Sequence, residues 1–558
     1  MPIAANPEMM MSDPAAPPNT PQSGETLAFP ASVAQQSFWY LELLEKNVTA
    51  FNVPLRFRLE GPLDVGLLKR SLETIADRHE ILRVHFGEAD GGLLQVVEPA
   101  ISLPLPVQDI SHLPASEREA EADRLCSIEA KRPFQLATGP LYRTELVKLS
   151  DEVHHLHITI HHALFDGLSI GVFIHELGEI HRALQLGKPD PLPPPPLQYG
   201  DFSVWQKDLL GSPHIKAHLE WWKSRLAGME EVDLPTDRAR PPVKSWKGDI
   251  ISVPVADELT QKLAAIANRS GATLFHLHLA AFKILLQRYT GATDISIGTP
   301  VSGRLRPELE PLIGVFINSI ILRDDLSGDP TFESLLHQVR DNAVAALEHQ
   351  ELPFENLVRA LKPERDPGRN PLFQINFSHD RFSPKPKDIG GVRLSQISSR
   401  SPGSIFDFHL FLTERDGAWR ACCDFSTDLF DHATATRILG HYIHLLGEIA
   451  RNPSKPIGEL AILTESESSS ILGEWKGTAT SYPRESSLSE LFSETARLHA
   501  DRIALAHGET SISYAQLHQK ASSLACRLAV AGVKEGDLVA ISHAPSPELI
   551  VGILGILL

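Results

Sequence analysis

The chain has 558 residues, 42% of them hydrophobic and 22% charged, the balance of a globular protein long enough for roughly two to four compact units. Its formal net charge of -18 at pH 7 argues against general nucleic-acid binding, because affinity for a polyanion comes mainly from Lys and Arg on phosphates. None of the four cysteines, Cys126, Cys422, Cys423 and Cys526, has CxxC spacing, which fits a reducing cytoplasm and gives no sign of a disulfide framework or a zinc-thiolate site.

Residues 1–26, rich in Pro, Ala, Ser and Asn, read as a flexible leader, with a docking segment that folds on a partner as the alternative. They lack the basic and apolar blocks of a secretory signal, so a cytoplasmic location is expected. Asp64 is a good N-cap, and the stretch to Arg78 puts Leu67, Leu68, Leu72 and Ile75 on one helical face. Ile81–Phe86 reads as a strand. The prolines at 191 and 193–196 supply no amide donors and predict an extended connector between two lobes. Leu274–Tyr289 reads as a buried helix, and Asp294–Pro300 as a strand entering a Gly-containing turn.

The stretch 451–482, rich in Ser, Glu, Pro and Gly, is the expected linker. Beyond it, Ser487–Leu498 and Tyr514–Leu528 look helical and Ile503–Ala506 and Leu538–Ser542 look like strands, the start of an α/β domain. The apolar end, Leu549–Leu558, falls well short of the roughly 20 residues that span a bilayer.

The segment most informative for chemistry is Val153–Ser169, VHHLHITIHHALFDGLS. Strand alternation puts Leu156, Ile158 and Ile160 on one face and leads next to His162, while His161 points with His157 and Thr159. A strand that delivers an imidazole to the mouth of a core and then breaks at Asp166-Gly167 suits acid/base or positioning chemistry. A satisfied core histidine is the alternative reading of such a residue. Metal is not expected here: His157 and His161 lie roughly 13 Å apart along a strand, too far to share one ion. His175-Glu176 opens like a zincin helix, but position 179 is Glu where a second histidine is needed.

His161-His162-Ala163-Leu164-Phe165-Asp166-Gly167 resembles the HHxxxDG signature of the condensation domains of nonribosomal peptide synthetases. Six further segments resemble that family's motifs in order: SVAQQSFW (32–39), RHEILRVHF (78–86), YGDFSVWQ (199–206), IGVFINSIILR (313–323), HQELPFE (349–355) and RDPGRNPL (365–372). SISYAQL (511–517) resembles the first core motif of adenylation domains.

The resemblance implies a mixed α/β fold of two chloramphenicol acetyltransferase-like lobes in a V-shaped pseudo-dimer, then the truncated start of an α/β adenylation domain. The expected boundaries are 27–450 for the condensation domain (27–190 and 197–450 for its lobes) and 483–558 for the adenylation fragment. The implied activity is amide formation between a donor acyl or peptidyl thioester and the amine of an acceptor aminoacyl thioester. His162 is the implied catalytic group, in a set with His161, Asp166 and Gly167.

Asp166 is expected to form an ion pair that fixes the turn, with Arg83 the first candidate partner. Gly167 is ascribed to a backbone demand after the turn, and His161 to packing or hydrogen bonding. Asn318 and Trp205 are placed near the tunnel and a lobe junction. No cofactor is expected to bind directly, since substrates would ride on the phosphopantetheine arms of carriers; no metal, nucleic acid or membrane span is expected. The partners implied are an acceptor peptidyl carrier and a donor that is either a carrier in trans or an acyl coenzyme A, the latter making a lipid-initiating starter domain. Adenylation activity is not expected, because that domain's nucleotide-binding elements would lie beyond Leu558. Heterocyclisation is disfavoured by the intact histidines, and epimerisation by the adenylation start directly downstream. A noncatalytic recruitment module is the alternative from another class.

Overall fold

A computed structural model describes residues 26–558 apart from 90, 381–385, 398, 400–401, 416, 475–476 and 478–479. The leader proposed for residues 1–26 thus lies, but for Thr26, outside the described residues. The chain divides into two compact units, Met1–Glu467 and Ser468–Leu558.

Two six-stranded mixed sheets and a three-stranded antiparallel sheet build the first unit. One six-stranded sheet runs in the order Lys387–Asp388, Arg393–Ile397, Asn52–Glu60, Val153–His161, Tyr142–Lys148, Val107–Asp109. Val153–His161 lies at its middle, antiparallel to both neighbours, with His161 opposite Asn52 and Ile160 opposite both Val53 and Tyr142. The other runs Asn318–Asp325, Asp294–Val301, Ile375–Asp380, Phe408–Arg415, Ala418–Ser426, Gly248–Val255. Each six-stranded sheet carries its own apolar core.

Local chemistry accounts for the helices that cover these sheets. Asp64 caps the helix Val65–Arg78 by accepting from the Leu67 amide, and Leu68, Leu72 and Ile75 are buried on its inner face. Leu274–Thr290, capped by Thr273, is buried along most of its length. Even Lys283 is fully enclosed there; its amine lies 2.8 Å from the Asp324 carboxylate and donates to the carbonyls of Ile295 and Leu322. Two carbonyl hydrogen bonds and a facing carboxylate thus offset the cost of burying an amine, which would otherwise be high.

Three expectations need correction. Ile81–Phe86 is not a continuous strand: residues Glu80–Arg83 form a 3₁₀ turn, and the strand is Val84–Ala89. Arg83 holds that turn by donating to the carbonyls of Ala76, Glu98 and Pro99. Leu538–Ser542 is not a strand; among the described residues no strand lies beside it to take up its backbone groups, and Leu538 is fully exposed. Nor do the lobes divide as contiguous segments. Arg393–Ile397 pairs with Asn52–Glu60 of the first sheet, and Leu309, Leu312, Ile313, Val315 and Phe316 belong to the first core.

The proline connector is irregular, and Arg78 fixes it by reaching Asp190 (2.7 Å) and the Pro193 carbonyl (2.8 Å). Ile457 and Leu460, composed like linker, pack into the second core, and Pro456 bridges to Thr331. In the second unit the hairpin Ile503–His507 and Thr510–Ser513 precedes the helix Tyr514–Val530. Ser513 and Gln516 form a capping box at that helix's start.

Candidate active site

Val153–His161 is buried on both faces, and its apolar residues Leu156, Ile158 and Ile160 lie wholly inside the first core. Ladder bonding continues one residue beyond the strand, since the His162 amide donates to the Phe51 carbonyl at 2.8 Å. Ala163, Leu164 and Phe165 then turn the chain inside the core, and the helix Ser169–Gln185 begins. His162 is thereby fixed through its backbone on one side by a sheet and on the other by a buried turn.

The two histidines have different surroundings. The His161 ring is buried edge-on against Phe38 and Phe134, and its Nδ1 accepts from the Ala163 amide at 3.1 Å. Burial pushes its pKa down to about 3, helped by the neighbouring His162 and Arg143. His162 stacks on Phe38 with ring centroids 5.8 Å apart and an interplanar angle of 23°. Both rings thus meet one phenyl group, so the alternation that separated their faces holds only along the strand itself.

His162 Nδ1 is shut off from solvent, and the ring makes no hydrogen bond to another of the described residues. Burial lowers its pKa from the usual histidine value, while its own backbone carbonyl and the Asp166 carboxylate pull it partly back. The imidazole is therefore neutral at neutral pH, with nitrogen capacity unused by the fold.

Asp166 is fully engaged. One carboxylate oxygen accepts from the Ser169 amide (2.9 Å), the Ser169 hydroxyl (2.8 Å) and Arg304 (2.9 Å), and the other from the Phe316 amide (3.1 Å). The partner is thus Arg304, not Arg83, whose guanidinium is occupied at the 3₁₀ turn. Arg304 also donates to the Leu309 and Leu312 carbonyls and lies over the Phe316 ring at 4.2 Å. Gly303 allows that approach: its φ is +64°, and a Cβ there would stand 1.9 Å from the Phe316 carbonyl oxygen. The ion pair, with both side chains 4% exposed or less, joins the turn after the histidines to the loop leading into Asn318.

The remaining predicted residues separate clearly. Gly167 is exposed, its φ lies outside the left-handed region, and an added Cβ would meet nothing within 4 Å. No backbone demand explains it, which corrects the expectation. Asn318 donates to the Gln350 and Leu352 carbonyls and accepts from the Ser319 and Phe354 amides, so its amide is committed to holding a turn. Trp205 packs beside Phe202, with Arg306 over its ring at 4.7 Å. No described contact joins either residue to His162.

Sequence reasoning passed over Gln35, which is fully buried and donates to the Ala163 carbonyl at 3.4 Å within the signature turn. Its side chain also closes a capping box with Ser32, and the S-x-x-Q pattern at 32–35 is the signal that marks it. Phe38, on the same helix, supplies the surface on which both imidazoles rest.

Residues 27–472 match the family described as Condensation domain, and residues 492–558 match AMP-binding enzyme. A linear gramicidin synthase of Brevibacillus parabrevis is 40% identical over 531 residues, covering 95% of this chain and 10% of that protein. A surfactin synthase of Bacillus subtilis (strain 168) is 34% identical over 531 residues, covering 95% and 14%. The chain therefore spans about a tenth of the length of such relatives. Among solved structures, the four-domain nonribosomal peptide synthetase holo-AB3403, bound to AMP and glycine, aligns with a TM-score of 0.75 at 25% identity over 96% of this chain and 42% of its own. The X-domain from teicoplanin biosynthesis aligns with a TM-score of 0.70 at 28% identity over 78% and 97%. Matches of this extent place the chain in the condensation domain family, with the beginning of an AMP-binding domain after it.

Proposed function

We propose that this chain joins a carrier-bound donor acyl or peptidyl thioester to the amine of a carrier-bound acceptor aminoacyl thioester, and that His162 is the side chain that meets the amine. The amine nitrogen attacks the thioester carbonyl carbon, the C–N bond forms, the C–S bond breaks, and the amine proton ends on the departing thiol. Thioesters are already activated, so orientation of two tethered reactants supplies much of the acceleration. A neutral imidazole can take up the amine proton or align the amine by hydrogen bonding. The observation that carries this reading is the unused nitrogen capacity of His162, beside a His161 and an Asp166 whose polar groups bind the protein itself. A pure docking surface has no use for an imidazole held this way, which favours catalysis over the recruitment reading.

The carriers present their substrates on phosphopantetheine arms, and the chain holds no cofactor of its own in this reading. No helix among the described residues is long and apolar enough to cross a membrane. The test supplies the purified protein with an acceptor aminoacyl carrier and, separately, an acylated donor carrier or a long-chain acyl coenzyme A. Amide formed from the donor carrier supports elongation, and amide formed from acyl coenzyme A alone identifies a lipid-initiating domain. Carrier binding without amide from either donor would establish recruitment instead.

A further inference from the structure

His214 and His218 lie four residues apart on the helix Pro213–Arg225, so both rings emerge on one face. Glu351 reaches them from the turn after the helix Phe332–Glu348. His214 Nε2 stands 2.5 Å from a Glu351 carboxylate oxygen and 3.0 Å from His218 Nε2, and His218 Nε2 is 3.8 Å from the same oxygen. We propose that His214, His218 and Glu351 form a binding site for a divalent transition-metal ion of the zinc class.

The rival is an ordinary hydrogen-bonded cluster, and proton counting disfavours it. An imidazole nitrogen has one in-plane position, holding either a proton or a lone pair. His214 Nε2 faces two partners at once, a carboxylate oxygen and a second ring nitrogen, so one proton serves at most one of them well. A cation among the three atoms satisfies all of them together. With metal–ligand distances of about 2.0–2.1 Å, ligands at the corners of a tetrahedron stand about 3.3 Å apart. The three observed separations bracket that value.

A second contact prepares His218. Its Nδ1 lies 2.6 Å from Nδ1 of His349, which is itself stacked on Trp221 at 4.0 Å. A proton on His218 Nδ1, donated to His349, leaves Nε2 bare, the tautomer that a metal ligand requires. His218 is buried and His214 is exposed, so one side of the site is open to a water as a further ligand. The carbonyls of His349, Gln350 and Leu352 accept from Trp222 and Asn318, and an ion here would fix the same turn from its other side. The HxxxH spacing at 214–218 is helical, and so differs from the histidines of 153–162, which a strand holds too far apart to share an ion.

The test titrates the metal-stripped full chain with Zn²⁺ by calorimetry, against a chelator of known affinity. One equivalent should bind, and the melting temperature should rise with free Zn²⁺ as expected for a ligand of the folded state. His214→Ala, which removes an exposed ring and leaves the fold intact, should weaken binding at least about tenfold, as should Glu351→Gln. Co²⁺ in place of Zn²⁺ should give a visible absorption band that both variants lose. Absence of stoichiometric Zn²⁺ binding, or equal affinity in the parent and both variants, would overturn the proposal.

Discussion

His409, in the strand Phe408–Arg415 of the second sheet, and His162, one residue beyond the strand Val153–His161 of the first, are both half-buried imidazoles held below the usual histidine pKa range by burial. His409 has a protein partner, with Nε2 2.9 Å from the Ser378 hydroxyl. The His162 ring has no hydrogen bond to another of the described residues, although the Phe51 carbonyl holds the backbone before it and Arg304, Asp166, Ser169 and Gln35 fix the turn after it. Burial of a histidine by itself therefore says little about chemistry. The informative contrast is between a ring whose nitrogen the fold uses and a ring that the fold positions and leaves free.

The largest effect expected from this contrast concerns the scaffold. Asp166→Ala and Arg304→Ala should each cost about 3–5 kcal/mol of stability, because each strands a buried charge. The double variant should lose less than the sum of the two. Additive losses in urea unfolding would show that the pair does not act as one unit. His161→Ala comes next, at about 1–3 kcal/mol, since it removes the acceptor of the buried Ala163 amide. A full rate loss in that variant with an unchanged unfolding midpoint would contradict its assignment to the fold.

Stability should also depend on pH in a stated direction. His155 and His161 titrate at about 3 and His409 at about 4 in the folded chain, while an unfolded histidine titrates near 6.5. The unfolded state therefore takes up these protons first, so stability is complete above about pH 6.5 and falls as the pH drops from there towards 4. A melting temperature constant from pH 7 down to 5 would break this account of the buried histidines. The smallest effect is expected at Gly167. With open space around it, Gly167→Ala should change stability by less than about 0.5 kcal/mol. A clear drop in melting would restore the backbone explanation, whereas slower amide formation with unchanged melting would place this surface beside the substrates.

These contrasts also mark what the sequence makes legible. Periodicity and a cap reveal the helices Val65–Arg78 and Leu274–Thr290, because their determinants are local. The histidine pair and the break after it are legible for the same reason. Arg304 is not: it lies 138 residues from Asp166, and no spacing rule separates it from Arg83, which occupies another motif. Exchange of segments between the lobes is hidden likewise, since the pairing of Arg393–Ile397 with Asn52–Glu60 is set by tertiary packing. Leu538–Ser542 has the local pattern of a strand, and a strand requires a neighbour that local pattern does not report.

The central claim is that His162, the unpartnered imidazole, acts on the amine while its neighbours hold the fold. The direct measurement is the single-turnover rate of amide formation by His162→Ala with both carrier-bound substrates supplied, beside its melting temperature. The account predicts a rate at least about tenfold lower, the scale of a lost acid/base or positioning group, with melting unchanged. A rate within about twofold of the parent would contradict it.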